Sequence, residues 1–221
     1  MQVPRFYPIL DTAVTARAGF TSVDAAQAIL DGGARVLQLR HKDHFSREVF
    51  QWAEQIAQLC RDADALLIVN DRADMAALLG AGLHLGQDDL APADGRRLLP
   101  SQTIGFSTHN FAQFEAAPAE PVDYVALGPI FHTGSKDNPD PVVGLDELRR
   151  LRHLTQRPIV AIGGIARGNA PAVWRAGADS VAVIGDLFSG VYSYSSLRTR
   201  VNEWCQLGEG PAVEAGLLDV D

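Results

Sequence analysis

Short apolar runs recur along this chain at residues 5–10, 36–39, 66–69, 83–85, 103–106, 124–127, 159–162 and 180–184, with helix-like stretches between them. Several runs are rich in Val, Ile and Leu without alternation, the pattern of strands buried on both faces. Val49, Trp52, Ala53, Ile56, Leu59 and Cys60 repeat at helical spacing, as do Leu197, Val201, Trp204 and Cys205. Shorter helical patterns cover residues 25–30, opened by a Thr21–Asp24 capping pair, and then 73–79, 94–98, 112–117, 145–154 and 170–175. Eight strand–helix units in about 200 residues predict an α/β chain folded as a single-domain TIM (β/α)8 barrel. The competing layout is a doubly wound open sheet. Its dinucleotide-binding version is weakened because no Gly-x-Gly-x-x-Gly follows the first run. The barrel is expected over residues 1–207. Residues 208–221, with Gly208, Gly210 and acidic Glu214, Asp219 and Asp221, read as a flexible C-terminal tail.

Charge narrows the partners. The net charge is −8, from 19 Lys and Arg against 27 Asp and Glu, which argues against nucleic-acid binding. It leaves room for an anionic small molecule where a few basic residues converge, and for a homo-oligomer. Cys60 and Cys205 sit in apolar helical patterns without a Cys-x-x-Cys motif and read as core thiols of a reducing compartment. No apolar run approaches the roughly 18 residues that span a bilayer, so no membrane partner is expected. The first residues have neither the basic start nor the apolar stretch of a signal peptide, and a cytoplasmic location is expected.

In a TIM barrel the chemistry gathers at the C-terminal strand ends, and polar residues cluster there. The second run leads into Gln38-Leu-Arg40-His-Lys42-Asp43, the third into Asn70-Asp71, the fourth into His84-Leu-Gly86-Gln87-Asp88-Asp89 and the fifth into Ser107-Thr108-His109. The sixth leads into Gly128-Pro129 and a loop holding Thr133-Gly134-Ser135-Lys136-Asp137. The seventh ends at Gly163-Gly164 and the eighth at Gly185-Asp186. Each has a plain structural reading: an Arg40–Asp71 ion pair, an Asn70-Asp71 helix cap, a Gly163-Gly164 turn, a satisfied core histidine at His84. His41, His44, His132 and His153 lack ligand spacing with Cys or acids, which disfavours zinc.

Convergence changes the weight of these residues. Alternation puts Gln38, Arg40 and Lys42 on one side. Arg40, Lys42 and Lys136 concentrate positive charge suited to phosphate oxygens. Asp71 and Asp89, one helix apart, can meet above adjacent strands. Two carboxylates with substrate phosphates are a usual Mg2+ arrangement. Gly163-Gly164 and Gly185 match the phosphate cradle that barrels often build after strands seven and eight. The residues alone lead to metal-assisted chemistry on small phosphorylated substrates. The loop over residues 131–143 lacks apolar periodicity and reads as a lid that carries Lys136 over a bound diphosphate.

Seven motifs then occur in a familiar order: Gln38-Leu-Arg40-x-Lys42, Leu67-Ile-Val-Asn70-Asp71-Arg72, His84-Leu-Gly-Gln87-x-Asp89, Gly105-x-Ser107-x-His109, Tyr124-x-x-Leu-Gly-Pro129-Ile-Phe, Thr133-x-Ser135-Lys136-Asp137 and Ala161-Ile-Gly-Gly-Ile165. Over roughly residues 5–190 the chain resembles the thiamine phosphate synthases, TIM barrels that join a pyrimidine diphosphate to a thiazole phosphate and release pyrophosphate. The resemblance implies that Asp71 and Asp89 bind Mg2+. It implies that Arg40, Asn70, Ser107 and Lys136 bind the diphosphate, with Arg40, Ser107 and Lys136 catalytic, and that Gln38 contacts substrate in the same half-site. Thr133, Ser135, Gly164, Ile184 and Gly185 match the thiazole-phosphate side. The implied mechanism is dissociative: diphosphate leaves first, and the thiazole nitrogen captures the pyrimidine methylene cation. The chain departs from the pattern at Gly185, where many members carry Ser, at His41, which replaces an acidic residue and faces away, and at Ser135, which replaces Thr. Two rivals share the fold: a thiazole tautomerase with His109 as its base, which needs none of Asp71, Asp89 and Lys136, and a non-catalytic barrel that senses a thiamine precursor.

Overall fold

The computed structural model describes residues 3–133 and 140–210. Eight parallel strands close into a barrel in chain order, with the eighth paired to the first through Tyr7 opposite Ala182. The strands are β1 (Phe6–Asp11), β2 (Val36–Arg40), β3 (Leu66–Asn70), β4 (Gly82–Leu85), β5 (Ile104–Thr108), β6 (Tyr124–Leu127), β7 (Ile159–Ile162) and β8 (Ser180–Val183). The helices are α1 (Thr12–Arg17), α2 (Ser22–Asp31), α3 (Arg47–Asp62), α4 (Ala73–Leu79), α5 (Pro92–Leu98), α6 (Phe111–Ala116), α7 (Gly144–Arg152), α8 (Ala170–Arg175), α9 (Gly185–Phe188) and α10 (Tyr194–Glu209). No helix among the described residues is long and apolar enough to cross a membrane.

Two hydrophobic layers follow from the period of two along each strand. Leu37 and Leu39, Leu67 and Val69, Leu83 and Leu85, Val125 and Leu127, and Val181 and Val183 face the helices and share the larger core with α3's Ala53, Ile56 and Cys60. Tyr7, Ile9, Val36, Ile68, Tyr124, Ala126, Val160 and Ala182 fill the barrel interior. Both faces of every strand are therefore buried, which is why the runs lack polar alternation in sequence.

The strands run further than the apolar runs. Four of them continue into polar residues: Asp11, Arg40, Asn70, and Ser107 with Thr108. An isolated reading ends a strand where apolarity ends, but the parallel ladder continues because the inward residue there faces the barrel mouth. Ile9 pairs with Gln38 and Asp11 with Arg40 in register, and Asn70 pairs with His84.

Two short helices fall outside the sequence pattern. The first, α1, starts where the Asp11 carboxylate accepts from Val14 N at 3.0 Å. The second, α9, follows β8 directly. The Thr21–Asp24 pair does open α2, with Asp24 N donating to Thr21 Oγ1 at 3.1 Å. The last helix, α10, continues two residues past the expected boundary at 207, to Glu209. Residues 211–221, the rest of the expected tail, lie outside the described residues. Cys60 is buried, and burial pushes its thiol up to about 12; Cys205 is pushed up to about 11.

Candidate active site

The mouth inherits the last inward residue of each strand. On β1 that residue is Asp11, only 6% exposed, and it forms an ion pair with Arg40 on β2. This corrects the Arg40–Asp71 pairing: Arg40 takes Asp11, and Lys42 Nζ takes Asp71 Oδ2 at 2.5 Å. Asp11 is the site residue that sequence reasoning missed. It has the same parity as inward-facing Tyr7 and Ile9, the signal that marks it, although the apolar run itself ends at Leu10.

Asp71 follows β3 in the left-handed region at φ 64°, a conformation that Asp tolerates better than most residues. Its N–H donates to the His84 carbonyl at 2.8 Å, which ties the end of β3 to β4. It does not cap the next helix: α4 starts after Arg72 with no side-chain cap. Asp89, in the loop after β4, accepts from Gly86 N at 2.7 Å, and its carboxyl lies near that of Asp71. Burial first, and the neighbouring Asp71 second, raise the Asp89 carboxyl above the usual range. Asn70 is buried beside this pair, and its Nδ2 has no hydrogen-bond partner among the described residues. A buried amide donor without an acceptor is costly, and an anionic ligand oxygen would satisfy it.

Below the mouth the interior is polar. Gln38 Nε2 donates to the Tyr7 hydroxyl at 3.1 Å, and His84 lies 2.9 Å from the Tyr124 hydroxyl through Nδ1 and 2.8 Å from Ser107 Oγ through Nε2. Burial lowers the His84 pKa to about 4 and pushes Tyr7 up to about 12, so both are neutral near pH 7. His84 is thus the satisfied core histidine of the plain reading, and also the partner of Ser107. His41 turns away from the mouth as expected, with Nδ1 2.8 Å from Thr12 Oγ1 and its ring against Phe45 and Trp52. His109 Nδ1 donates to the Gly128 carbonyl at 2.7 Å and lies 3.5 Å from Asp140 Oδ2.

The opposite side of the mouth is made of backbone. Gly163 and Gly164 after β7 have φ of 97° and 64°. A Cβ at Gly164 would lie 2.4 Å from the His132 carbonyl oxygen. The turn itself therefore demands glycine, so a loss of binding on enlarging Gly164 does not by itself show a phosphate cradle. Gly185 differs: among the described residues a Cβ there meets nothing within 4 Å. Ile184 ends the barrel interior and precedes α9. Thr133 lies in the loop after β6, whose flanks are pinned by Phe131 N to Gly163 O at 3.0 Å and Val143 N to Pro129 O at 2.8 Å. Ser135 and Lys136, and with them the centre of the expected lid, lie outside the described residues.

The arrangement therefore pairs Lys42 with Asp71 and sets Asp89 near them, pairs Arg40 with Asp11, links Gln38 to Ser107 through the interior, and sets Gly164 and Gly185 after neighbouring strands. Among the described residues no three His, Cys, Asp or Glu side chains form a metal cage. Two facing carboxylates are hard oxygen donors that suit a cation completing its shell with water and substrate phosphate. Burial and then the neighbouring Asp71 carboxylate disfavour the charged form of Asp89, and a cation held by both carboxylates would favour it.

Comparison with known proteins converges on one family. The family model described as thiamine monophosphate synthase matches residues 6–187. A thiamine-phosphate synthase of Koribacter versatilis is 46% identical over 212 residues, covering 94% of this chain and 97% of the relative. One of Chloroflexus aurantiacus is 40% identical over 181 residues, covering 81% and 83%. The solved thiamine phosphate pyrophosphorylase of Pyrococcus furiosus superposes with a TM-score of 0.81 at 30% identity, covering 93% of this chain and 95% of that one.

Proposed function

The chain belongs to the thiamine monophosphate synthase family, an enzyme family of the transferase class, and from that premise we propose how its mouth performs the condensation of a pyrimidine diphosphate with a thiazole phosphate to thiamine phosphate and pyrophosphate. The diphosphate binds on the side formed by β2 to β5. Arg40 and Lys42 supply positive charge, Asn70 Nδ2 gains the acceptor it lacks, and Ser107 donates from β5. Lys136 joins them by its place in the sequence motif. Asp71 and Asp89 would hold Mg2+, which when bound neutralises charge on the diphosphate.

The residues favour departure of a leaving group over proton abstraction. The bond from the pyrimidine methylene to the diphosphate oxygen breaks with its electron pair on oxygen, and Arg40 and Lys42 stabilise that developing charge. Arg40 spends one guanidinium nitrogen on Asp11, which orients it and leaves other donors for phosphate oxygens. The thiazole nitrogen then attacks the methylene carbon. Neutral His84 and the Asp11-bound Arg40 are ill suited to act as bases. His109, with Nδ1–H donating to the Gly128 carbonyl, keeps the Nε2 lone pair a tautomerase would use, but moving a proton requires none of Asp71, Asp89 and Lys136. The thiazole phosphate sits opposite, against Thr133, Ser135, Gly164, Ile184 and Gly185, at the loops after the seventh and eighth strands and the short helix that barrels commonly use for phosphate.

The observation that carries this reading is the Lys42–Asp71 ion pair, with Asp89 near it, at the strand end where the buried amide of Asn70 has no partner among the described residues. Incubation of the purified protein with both phosphorylated precursors, with and without Mg2+, is expected to give thiamine phosphate and equimolar pyrophosphate only with the metal. Equal turnover in chelator would remove the metal from the reading, and no product from both precursors with Mg2+ would remove the function.

A further inference from the structure

Five polar side chains form one connected line across the barrel interior. Gln38 Nε2 donates to the Tyr7 hydroxyl, the Tyr7 and Tyr124 hydroxyls lie 2.8 Å apart, Tyr124 meets His84 Nδ1 at 2.9 Å, and His84 Nε2 meets Ser107 Oγ at 2.8 Å. The two ends are the residues assigned to substrate; the middle three have no role in the proposed chemistry.

A glycine makes the line possible. Gly105 on β5 stands in register between His84 on β4 and Tyr124 on β6. A Cβ at Gly105 would lie 2.0 Å from Tyr124 Cζ and 2.4 Å from its hydroxyl. The missing side chain is the opening through which the Tyr124 ring crosses β5 and stacks on His84, with centroids 5.7 Å apart.

Proton counting gives the line a direction. A hydroxyl carries one hydrogen. Among the described residues the Tyr7 hydroxyl has two partners, Gln38 and Tyr124, and Gln38 already donates to it. If Tyr124 also donated to Tyr7, the Tyr7 hydrogen would be buried without an acceptor, which folded proteins avoid. Tyr7 therefore donates to Tyr124, and Tyr124 donates to His84 Nδ1. A neutral imidazole that accepts at Nδ1 carries its hydrogen on Nε2, so His84 donates to Ser107 Oγ. Ser107, having accepted, keeps its own hydrogen for an acceptor outside the line.

We propose that Tyr7 and Tyr124 are positioning residues that act through His84, holding its ring in the Nε2–H tautomer so that Ser107 can only donate to the departing diphosphate. The proposal rests on Ser107 facing that group. With the opposite polarity Ser107 would spend its hydrogen on His84 and present lone pairs to an anion.

Ring 15N spectra of the full chain labelled at histidine, taken near pH 8 where imidazole is mostly neutral, read the tautomer directly, with His84→Gln identifying the signal. The Nε2–H form is expected in the unaltered protein, and a mixture of tautomers in Tyr124→Phe. An Nδ1–H tautomer in the unaltered protein would overturn the proposal whether or not any variant folds. Turnover gives the second readout. Tyr124→Phe is expected to lower kcat about tenfold, the scale of one hydrogen bond to a charged group, with KM for thiazole phosphate unchanged. In a Ser107→Ala background the same change is expected to cost less than about twofold, because coupled residues are not additive. An equal loss in both backgrounds would make Tyr124 merely structural and overturn the proposal. Full turnover by Ser107→Ala would overturn the donor role of Ser107 alone, whereas no turnover by the unaltered protein would overturn the proposed function.

Discussion

The two sides of the barrel mouth are built from different materials. On the side of β1 to β4, side chains dominate: Asp11 with Arg40, Lys42 with Asp71, and Asp71 against Asp89. On the side of β7 and β8 the backbone dominates: Gly163 and Gly164 in left-handed turns, Gly185 in open space, and α9 directly after the strand. Charged side chains keep one another partly neutralised and can exchange partners when a polyanion and a cation arrive. Backbone amides cannot rearrange without unfolding the turn that carries them. The first side is thus open to substitutions that change chemistry and spare the fold, and the second largely to substitutions that change both. Even α9 is anchored from outside the mouth, since the Asp186 carboxylate accepts from Trp204 Nε1 at 2.9 Å and Arg167 Nε at 3.1 Å.

Gly164→Val tests the backbone side most severely. It places a β-branched residue at φ 64° with its Cβ against the His132 carbonyl. A loss of about 3 kcal/mol of stability is expected from the left-handed strain and the overlap together, read as a lower urea midpoint at unchanged slope. Native stability in this variant would show that the turn does not need glycine and would return the position to a purely ligand-binding role.

Asp71→Asn and Asp89→Asn test the other side. Asn suits the left-handed region of Asp71 as well as Asp does, and in Asp89→Asn the amide oxygen can still accept from Gly86 N, so the fold is expected to survive in both. Turnover is expected to fall about a hundredfold, the scale of one lost electrostatic group at a reacting charge. Mg2+-dependent diphosphate binding, read by calorimetry, is expected to weaken alongside it. Unchanged turnover in both variants would remove the metal assignment.

Asp11→Asn separates orientation from capping. The amide oxygen can still accept from Val14 N, while the charge opposite Arg40 is gone. A stability loss of about 1 kcal/mol and a KM for the pyrimidine diphosphate raised about threefold are expected. An unaltered KM would mean that Arg40 needs no partner to be placed. The mildest change is Gly185→Ser, which fills open space at a strand end. Stability is expected to stay within about 0.5 kcal/mol, and affinity for thiazole phosphate, by calorimetric titration, to stay the same or tighten. A large loss of affinity would mean that this side holds its phosphate differently from other family members.

Much of this was legible in the sequence. The runs at 124–127 and 159–162 coincide with β6 and β7, and residues 73–79 and 170–175 with α4 and α8, because a barrel strand buried on both faces leaves an uninterrupted apolar signature. The misses at the strand ends share one cause. Asp11, Arg40, Asn70 and Ser107 are polar residues inside strands, and a pattern that equates strand with apolarity stops just short of them. The short helices α1 and α9 escaped because four to six residues give no periodicity to read.

Composition and order along the chain were enough to determine the layers, the eight units and the identity of the charged residues, since burial and periodicity are local properties of a run. Partner choice was not local. Arg40 lies 29 residues after Asp11 and 31 before Asp71, and separations this similar offer no rule for choosing between them. That choice was made by closure of the barrel, which sets β1 beside β2 in a register that places Asp11 opposite Arg40. The line from Gln38 to Ser107 depends on closure even more, because its hydroxyls meet across the interior and Tyr124 reaches His84 only over a glycine on the strand between them. Hydrogen bonds of this kind hold only at near-contact distances, and those distances exist once eight strands have curved onto one another.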